Sequence, residues 1–429
     1  MRVLVAVVLL ALLAGCITPA AVRPASVKSP DITAVTSLLS GIPCDAKSVG
    51  ATTSENLRVL ANMSFENGGR AELDPWHGWL VTGNKNGLDL IDARDPLAPN
   101  VTVTFPYDKG YGDAKWIANG TLVAVARATD IEVLAVNWTD PNMPNVTSLG
   151  AWTYPVPGPG HAFTNMHMLE SHDIAGEPYF LLAPNDDTGV WMVHVARSAD
   201  GKTAAFHALP PIGGPLTGGP LGPHDMTVED DQLLHKPILY IANGFEGWQA
   251  FDISDPKNPQ RLALVLNLDP GQGYLHTVAG SMVGSRRIVA TISEVGVNTL
   301  KVFDATDFSK PPILLGTWWA DKTDPHQPQH DINILDGKLY MAHYTSGVFV
   351  FDLKKLGTAP LLDTPTLSPV AHYAPAKRMD GGPLGFANVF DVVEMNGVMY
   401  VSDFTDPQHA VTAVGYGCLR PGDPMQTSG

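Results

Sequence analysis

Short apolar stretches separated by polar turns recur along the chain. In the clearest example, "ILYIANG" is followed by "GWQAFDISDPKNPQRLALVL" from Gly247, so that two apolar runs are separated by a short polar turn and a third follows an Asp-Pro turn. The runs are rich in β-branched and aromatic residues and are bounded by Gly, Pro, Asn or Asp, which is typical of β-strands joined by tight turns. The pattern predicts a succession of short strands.

This unit occurs seven times. The run that ends in Phe-Asp in the clearest copies begins at Gly87, Asp130, Gly189, Gly247, Thr299, Gly347 and His409. An apolar companion strand precedes each run, and an outer strand follows the Asp-Pro turn, which the third and seventh copies lack. With an inner strand ahead of the companion strand, each copy supplies four antiparallel strands in roughly 54 residues.

Four-stranded units repeated around an axis are typical of a β-propeller. The sequence therefore predicts an all-β fold, a seven-bladed β-propeller of four-stranded antiparallel blades over residues 44–420, followed by a disordered tail at 421–429. The last copy stops after its third strand, at about Cys418, and residues 56–65 have the outer-strand pattern. We expect this N-terminal strand to complete the last blade.

The stretch "LYIANGFEGWQAFDISDPKNPQRLALV" resembles the LVIVD repeat family, whose members are secreted or surface-anchored propeller proteins of bacteria and archaea. The resemblance extends over residues 56–418 and is weakest in the third and seventh copies, where "VHVARSADGK" and "TAVGYGC" lack the Asp-Pro turn. It implies the fold and a location outside the cytoplasm. It implies no catalytic residues, so function has to be argued from sites.

The N-terminus has the features of an export signal. Arg2 precedes the apolar run "VLVAVVLLALLAG", which is too short to span a bilayer comfortably but suits the core of a signal peptide. The run ends in "LAGC", which resembles the lipobox of prokaryotic lipoproteins. We expect a signal peptide with lipobox at 1–15, a flexible tether at 16–43, and an extracytoplasmic protein anchored to the cell membrane through lipidated Cys16. Ordinary secretion is the alternative.

Cys44 and Cys418 lie at opposite ends of the predicted propeller. In an oxidising compartment such a pair can form a disulfide, here one that joins the two ends of the ring. Two buried free thiols are the alternative, because sequence does not show that two Cα atoms come within bonding range.

Composition narrows the function classes. The formal net charge of −16 argues against a nucleic-acid partner, because phosphates would repel such a surface. The 41 Gly and 36 Pro residues favour many turns over long helices. The chain has no Gly-rich phosphate loop, no Gly-x-Ser-x-Gly nucleophile turn and no Cys-x-x-Cys pair.

Histidines recur at one position of the repeat, the start of the predicted innermost strand. From the second copy to the seventh this position holds Asp113, His167, His224, His276, His330 and Phe390, and in the first copy it falls near Ala71 or Glu72. Aspartates follow directly at Asp225, Asp331 and Asp391. Equivalent positions of a propeller surround the axis, so His167, His224, His276 and His330 are candidate ligands for copper, zinc or iron. Candidate additional ligands are Asp113, His161, His172 and His326.

These histidines also fit a structural role. A His-Asp pair inherited by every copy can recur because the imidazole hydrogen-bonds the neighbouring blade and the carboxylate supports a turn. Recurrence alone does not select between a metal ligand and a structural side chain, and the sequence leaves both hypotheses open.

Long Gly- and Pro-rich loops connect outer strands to the next inner strands and lie on one face of a propeller. They include "TYPVPGPGHAFTN", "PPIGGPLTGGPLGP", "WWADKTDPHQPQ" and "APAKRMDGGPLGFAN". The main prediction is a cell-surface lipoprotein that binds a protein, glycan or small ligand through this face. The alternative is a metal-dependent oxidoreductase or hydrolase that uses the histidines at the channel mouth. The loops also fit a role as spacers that shield strand edges.

Overall fold

The computed structural model describes residues 52–53, 57–65, 72–84, 87–106, 113–127, 129–155, 168–184, 186–216, 222–267, 273–320, 328–357, 367–375, 389–404 and 410–416. They form seven antiparallel blades in a ring, so the predicted all-β, seven-bladed propeller is confirmed. Among these residues there is no helix long and apolar enough to cross a membrane. The predicted signal peptide, tether and tail lie outside the described residues, as do Cys16, Cys44 and Cys418.

The strands are numbered in chain order, and the strands of each blade are given from the axis outward. Two N-terminal strands come first in the numbering but belong to blades 6 and 7. These two are β1 (Thr52–Thr53) and β2 (Leu57–Met63). Blade 1 contains β3 (Asp74–Trp76), β4 (Trp79–Asn84), β5 (Gly87–Asp92) and β6 (Asn100–Pro106). Blade 2 contains β7 (Ala114–Ile117), β8 (Leu122–Ala126), β9 (Asp130–Asn137) and β10 (Asn145–Thr153). Blade 3 contains β11 (Met168–Ile174), β12 (Glu177–Ala183), β13 (Trp191–Arg197) and β14 (Ala204–Ala208).

The remaining blades follow the same order. Blade 4 contains β15 (Asp225–Asp231), β16 (Lys236–Ala242), β17 (Gly247–Asp252) and β18 (Gln260–Leu266). Blade 5 contains β19 (Tyr274–Val283), β20 (Arg286–Val295), β21 (Leu300–Asp304) and β22 (Ile313–Trp318). Blade 6 contains β23 (Asp331–Leu335), β24 (Lys338–His343), β25 (Gly347–Asp352) and β26 (Pro369–Ala374). Blade 7 contains β27 (Val389–Met395), β28 (Val398–Asp403) and β29 (Val411–Tyr416).

The N-terminal strand closes the ring as predicted. β2 pairs with β29, with Leu57 opposite Tyr416 and Met63 opposite Val411, and so supplies the fourth strand of blade 7. The sequence did not predict β1, which adds a fifth strand to blade 6 by pairing Thr52 with Ala374. The N-terminal segment therefore pairs with two adjacent blades.

Local turn chemistry explains the repeated strand boundaries. The first hairpins of blades 6 and 7 turn at Asp336-Gly337 and Asn396-Gly397, where all four residues have positive φ. Two successive positive φ angles match the right-handed twist of a two-residue hairpin, which explains the Asp-Gly and Asn-Gly pairs. In the Phe-Asp unit, the Asp252 carboxylate accepts a hydrogen bond from the Ser254 backbone N–H at 2.9 Å, which fixes the turn before the outer strand.

The apolar core lies between neighbouring blades. Leu339 and Met341 of β24, for example, pack against Ile288 and Ala290 of β20. Full burial of one such leucine contributes about 2 kcal/mol to stability. The first strands of consecutive blades adjoin one another around the axis. Their start and channel-facing positions carry buried polar residues, and these form the site.

Candidate metal centre

Three of the four predicted histidines meet at the start of the innermost strands of blades 4 to 6. His224, His276 and His330 are all buried. The ring centroids are 4.5 Å apart for His224 and His276 and 4.4 Å apart for His276 and His330. Backbone hydrogen bonds from His224 N to Ala242 O and from His330 N to Ala342 O hold two of them at the same place in their blades.

Of the other sequence-predicted ligands, the structure describes Asp113 and His172, and these two do not join this group. His161, His167 and His326 lie outside the described residues. His172 lies on β11 and its Nε2 is 3.1 Å from the Asp230 carboxylate. Asp113 forms an ion pair with Lys115, with 2.8 Å between Oδ1 and Nζ. Asp113 also accepts the backbone N–H of Leu169 in the next blade at 2.8 Å.

Glu294 is the residue that the sequence reasoning missed. Ligand atoms of His224, His276 and Glu294 lie within 4.8 Å of one another, and all three side chains are buried. His276 Nε2 and Glu294 Oε2 are 3.9 Å apart. Ligand atoms of one tetrahedral zinc ion lie about 3.4 Å apart, so the three atoms would have to move closer together to bind one ion. The signal for Glu294 was a single acidic residue directly after "RIVATIS", the companion strand of the fifth copy.

Both ligands from blade 5 lie where the pairing of β19 with β20 is irregular. Leu275 pairs with Ser293 and Val278 pairs with Thr291, so His276 and Thr277 together face a single residue. On the other strand, Glu294 is the extra residue between Val295 and Ser293. Such bulges redirect side chains and are common beside functional sites. Here two of them bring an imidazole and a carboxylate from adjacent strands together.

Hydrogen bonds orient both groups. His276 Nδ1 is 2.9 Å from Thr277 Oγ1, and that hydroxyl donates to the His330 carbonyl at 3.1 Å. The Tyr344 hydroxyl donates to Glu294 Oε1 at 2.8 Å. Burial lowers the pKa of His276, although Glu294 acts in the opposite direction. His276 is therefore neutral at pH 7, the protonation state that a metal ligand requires.

Aromatic rings surround the histidines. His330 stacks on Phe390 with ring centroids 3.8 Å apart, and the Tyr344 ring meets His330 edge-on at 4.9 Å. On the other side, Tyr274 meets His224 edge-on at 4.9 Å. These rings limit water access and lower the local dielectric constant, which strengthens electrostatic interactions at the site. Trp318 packs against Phe349 in the core between blades, away from these rings.

A second polar layer follows the histidines along the innermost strands. We call it the carboxylate ring, and its members are Glu72, Asp113, Asp225, Asp331 and Asp391. Asp391 accepts the backbone N–H of Leu73 in the next blade at 2.9 Å, as Asp113 does from Leu169. Asp113 therefore occupies the repeat position of the aspartates that follow the histidines, and not the position of the histidines themselves, where the sequence placed it. Lys115 adds one ammonium group, with its Nζ 2.9 Å from Glu72 Oε2.

Burial shifts the acidity of this ring. It raises the pKa of Asp225 to about 8 and that of Asp391 to about 6, against the opposing effects of neighbouring hydrogen bonds. Burial and the nearby Asp391 charge raise the pKa of Asp331 well above its usual value. Several carboxyl groups are therefore protonated at neutral pH, which reduces the repulsion among buried like charges.

The chemistry of the three converging residues is that of a transition-metal site. Two imidazole nitrogens and one carboxylate oxygen form a ligand set used for zinc, and also accepted by copper and iron. Three protein ligands leave a coordination position for water or substrate, which distinguishes catalytic zinc sites from structural ones. His330 lies next to His276 in the arc of imidazoles, with the two ring centroids 4.4 Å apart.

Comparison with known proteins adds no family to this description. No protein-family model matches the chain, and no curated protein matches it either. The seven-bladed ring is compatible with a propeller repeat family and fits a role as an interaction module.

Proposed function

We propose that the protein is a metal-binding β-propeller that holds one transition-metal ion at its channel mouth through His224, His276 and Glu294. The observation that carries this proposal is the convergence of their ligand atoms to within 4.8 Å in a buried position. A buried carboxylate beside two imidazoles is costly unless it is compensated, and a divalent cation would compensate it.

Zinc is the ion we expect, because two imidazoles and one carboxylate with an open position match its catalytic sites. An open zinc site lowers the pKa of bound water and polarises carbonyl or phosphoryl oxygens. The activity class we propose is therefore hydrolysis. A clear preference for copper or iron in the test below would favour the oxidoreductase class.

The test is metal binding by the purified mature protein after chelator treatment. Calorimetric titration with Zn²⁺, Cu²⁺ and Fe²⁺ should show one site, and His224→Ala, His276→Ala and Glu294→Gln should each weaken binding at least about 100-fold. His194→Ala is the matched control, because His194 is a partly exposed histidine paired with Glu177 at 3.1 Å. A wild-type protein that binds none of the three ions, or ligand variants that bind as well as the control, would refute the proposal.

A second proposal concerns location and partners. We propose that the protein is exported, anchored through lipidated Cys16, and presents the face with the channel mouth to a protein, glycan or small ligand. It is supported by the apolar run after Arg2, by "LAGC" at Cys16 and by the resemblance to the LVIVD repeat family.

Fractionation of the native host tests the anchor. The wild-type protein should sediment with membranes and incorporate labelled fatty acid, whereas Cys16→Ser should do neither. Cys44→Ser is the control and should behave as the wild type. Membrane association that persists in Cys16→Ser would contradict lipid anchoring.

A further inference from the structure

Two contacts determine which atoms of His276 and Glu294 face each other. The facing pair is His276 Nε2 and Glu294 Oε2, 3.9 Å apart. The remaining atoms, His276 Nδ1 and Glu294 Oε1, are each engaged by a hydroxyl group. One hydroxyl comes from Thr277, the other from Tyr344.

Thr277 fixes the tautomer of His276. A threonine hydroxyl has one proton, and that of Thr277 is donated to the His330 carbonyl at 3.1 Å. The Asp225 carboxyl is also hydrogen-bonded to this hydroxyl group. Whether the proton points to the His330 carbonyl or to Asp225, the hydroxyl oxygen accepts from His276 Nδ1, which lies 2.9 Å away. The neutral imidazole therefore carries its proton on Nδ1, and the lone pair is on Nε2, the nitrogen that faces Glu294.

Tyr344 performs the same task for the carboxylate. Its hydroxyl group donates to Glu294 Oε1 at 2.8 Å, so Oε2 is the oxygen that faces His276. Tyr344 follows β24 in blade 6, whereas Glu294 belongs to blade 5. The hydroxyl bond of Thr277 also reaches blade 6, at His330. Blade 6 thus orients the ligands that blade 5 supplies.

We propose that Thr277 and Tyr344 are positioning residues of the metal centre, which hold Nε2 of His276 and Oε2 of Glu294 ready to bind the ion. This inference rests on the proposed metal site. Partners of this kind fix the orientation of ligands, and their loss weakens metal binding by about 10- to 100-fold.

The experiment compares Thr277→Val, Thr277→Ser and Tyr344→Phe with two matched controls. Ser171→Ala removes a hydroxyl that donates to the Trp116 carbonyl of the neighbouring blade at 2.6 Å, a bond of the same type between blades 2 and 3. Tyr400→Phe removes a buried hydroxyl that donates to Ala93 O at 3.0 Å. Thermal unfolding followed by circular dichroism first confirms that each variant folds.

Two measurements follow, zinc affinity by calorimetry and the His276 tautomer by ¹⁵N NMR of the metal-free, histidine-labelled protein. We expect the wild type to show the Nδ1-protonated form. Thr277→Val should lose that form and bind zinc about 10- to 100-fold more weakly, and Thr277→Ser should restore both. Tyr344→Phe should weaken zinc binding by a similar factor without changing the tautomer. The two controls should match the wild type.

The outcomes separate the two proposals. If the wild type binds zinc and Thr277→Val and Tyr344→Phe bind it within about twofold of the controls, the positioning role is overturned while the metal site stands. If the wild type itself binds no zinc, the proposed function fails and the inference fails with it. An Nδ1-protonated His276 that persists in Thr277→Val overturns the role of Thr277 whatever the affinity.

Discussion

Lys115 is the one ammonium group that the described residues place among the buried carboxyls of the channel. Its Nζ lies 2.9 Å from Glu72 Oε2 and 2.8 Å from Asp113 Oδ1. Burial alone would lower the pKa of Lys115, but Asp113, Glu72 and Asp74 together raise it well above its usual value. Removing a single partner from such a group leaves uncompensated buried charge.

We therefore predict that Lys115→Met lowers the free energy of unfolding by about 3 kcal/mol. Methionine keeps most of the side-chain volume of lysine, so the loss of unfolding free energy reflects the removal of the charge. The loss should be larger at pH 8 than at pH 5, because the remaining carboxyls must then be protonated at greater cost. Urea unfolding at the two pH values measures both effects.

Lys236→Met is the control for the lysine variant. Lys236 pairs with Asp252 at the surface, where its side chain is 45% exposed, so its removal should cost less than about 1 kcal/mol. Equal losses for the two variants, or a loss at Lys115 that does not depend on pH, would show that the carboxylate ring does not depend on its cation.

At the scale of single residues, the sequence predicted the site residues that recur in several copies of the repeat and missed those that occur in one copy. His224, His276 and His330 occupy one position of three consecutive copies, so alignment of the copies was enough to group them. Glu294 and Lys115 occur in one copy each. Glu294 reaches the site because β20 has a local irregularity, and no strand periodicity predicts where such an irregularity places a side chain.

The elements that join the two ends of the propeller are β1 and β2. β2 supplies the outer strand of blade 7 along seven residues, whereas β1 adds two residues to the edge of blade 6. β2 also buries Met63 against Leu80 and Val411. Ring closure therefore depends mainly on β2.

Two N-terminal truncations test this order. A chain that starts at residue 55 lacks β1 and should keep nearly the full unfolding free energy. A chain that starts at residue 66 also lacks β2, which leaves β29 as an open edge and removes Met63 and Phe65 from the apolar cluster that contains Leu80. We expect that chain to unfold at lower denaturant concentration and to aggregate.

A synthetic peptide of residues 55–65 is the control for the longer truncation. Added in excess, it should restore the denaturation midpoint by pairing with β29, since strand addition uses the same backbone hydrogen bonds. If both truncated chains are equally stable, or if the peptide has no effect, ring closure by β2 does not contribute to the stability of the propeller.

Most strands were predictable because their signals are local. Alternating apolar residues, Asp-Gly and Asn-Gly turns and the Phe-Asp unit define where a strand begins and ends. The closing strand was found because the last copy lacked its partner. β1 was not found, because a two-residue strand such as Thr52–Thr53 has no pattern of its own and depends on the edge of blade 6.

At the scale of the whole molecule, the buried carboxyls link stability to pH. Burial raises the pKa of Asp74 from 3.8 to about 8 and that of Glu394 from 4.5 to about 7. Burial lowers the pKa of His343 from 6.5 to about 4, which has the opposite consequence. Whether the stability of the protein rises or falls with pH in a given pH range therefore depends on which groups titrate in that range.

A carboxyl with a raised pKa contributes stability that is fully present below its unfolded pKa and is lost as pH rises through its folded pKa. Histidines with a lowered pKa, here His343 and His276, add stability as pH rises, and this gain levels off above their ordinary pKa of 6.5. Between pH 6.5 and 8 the ionisation of the carboxyls with raised pKa values dominates, so the unfolding free energy should fall as pH rises.

Asp74→Asn should flatten this slope by about 1 kcal/mol per pH unit. Asparagine keeps an acceptor for the Trp116 backbone N–H, which donates to Asp74 Oδ2 at 2.6 Å, so the fold should be preserved. The measurement is urea unfolding at intervals between pH 6.5 and 8, with a chelator present to exclude metal effects. Asp307→Asn is the control, because hydrogen bonding to Lys310 and Ser309 lowers the pKa of Asp307 to about 2 and its contribution changes only at acid pH. A wild-type unfolding free energy that stays constant or rises across this window would show that the buried carboxyls ionise without cost.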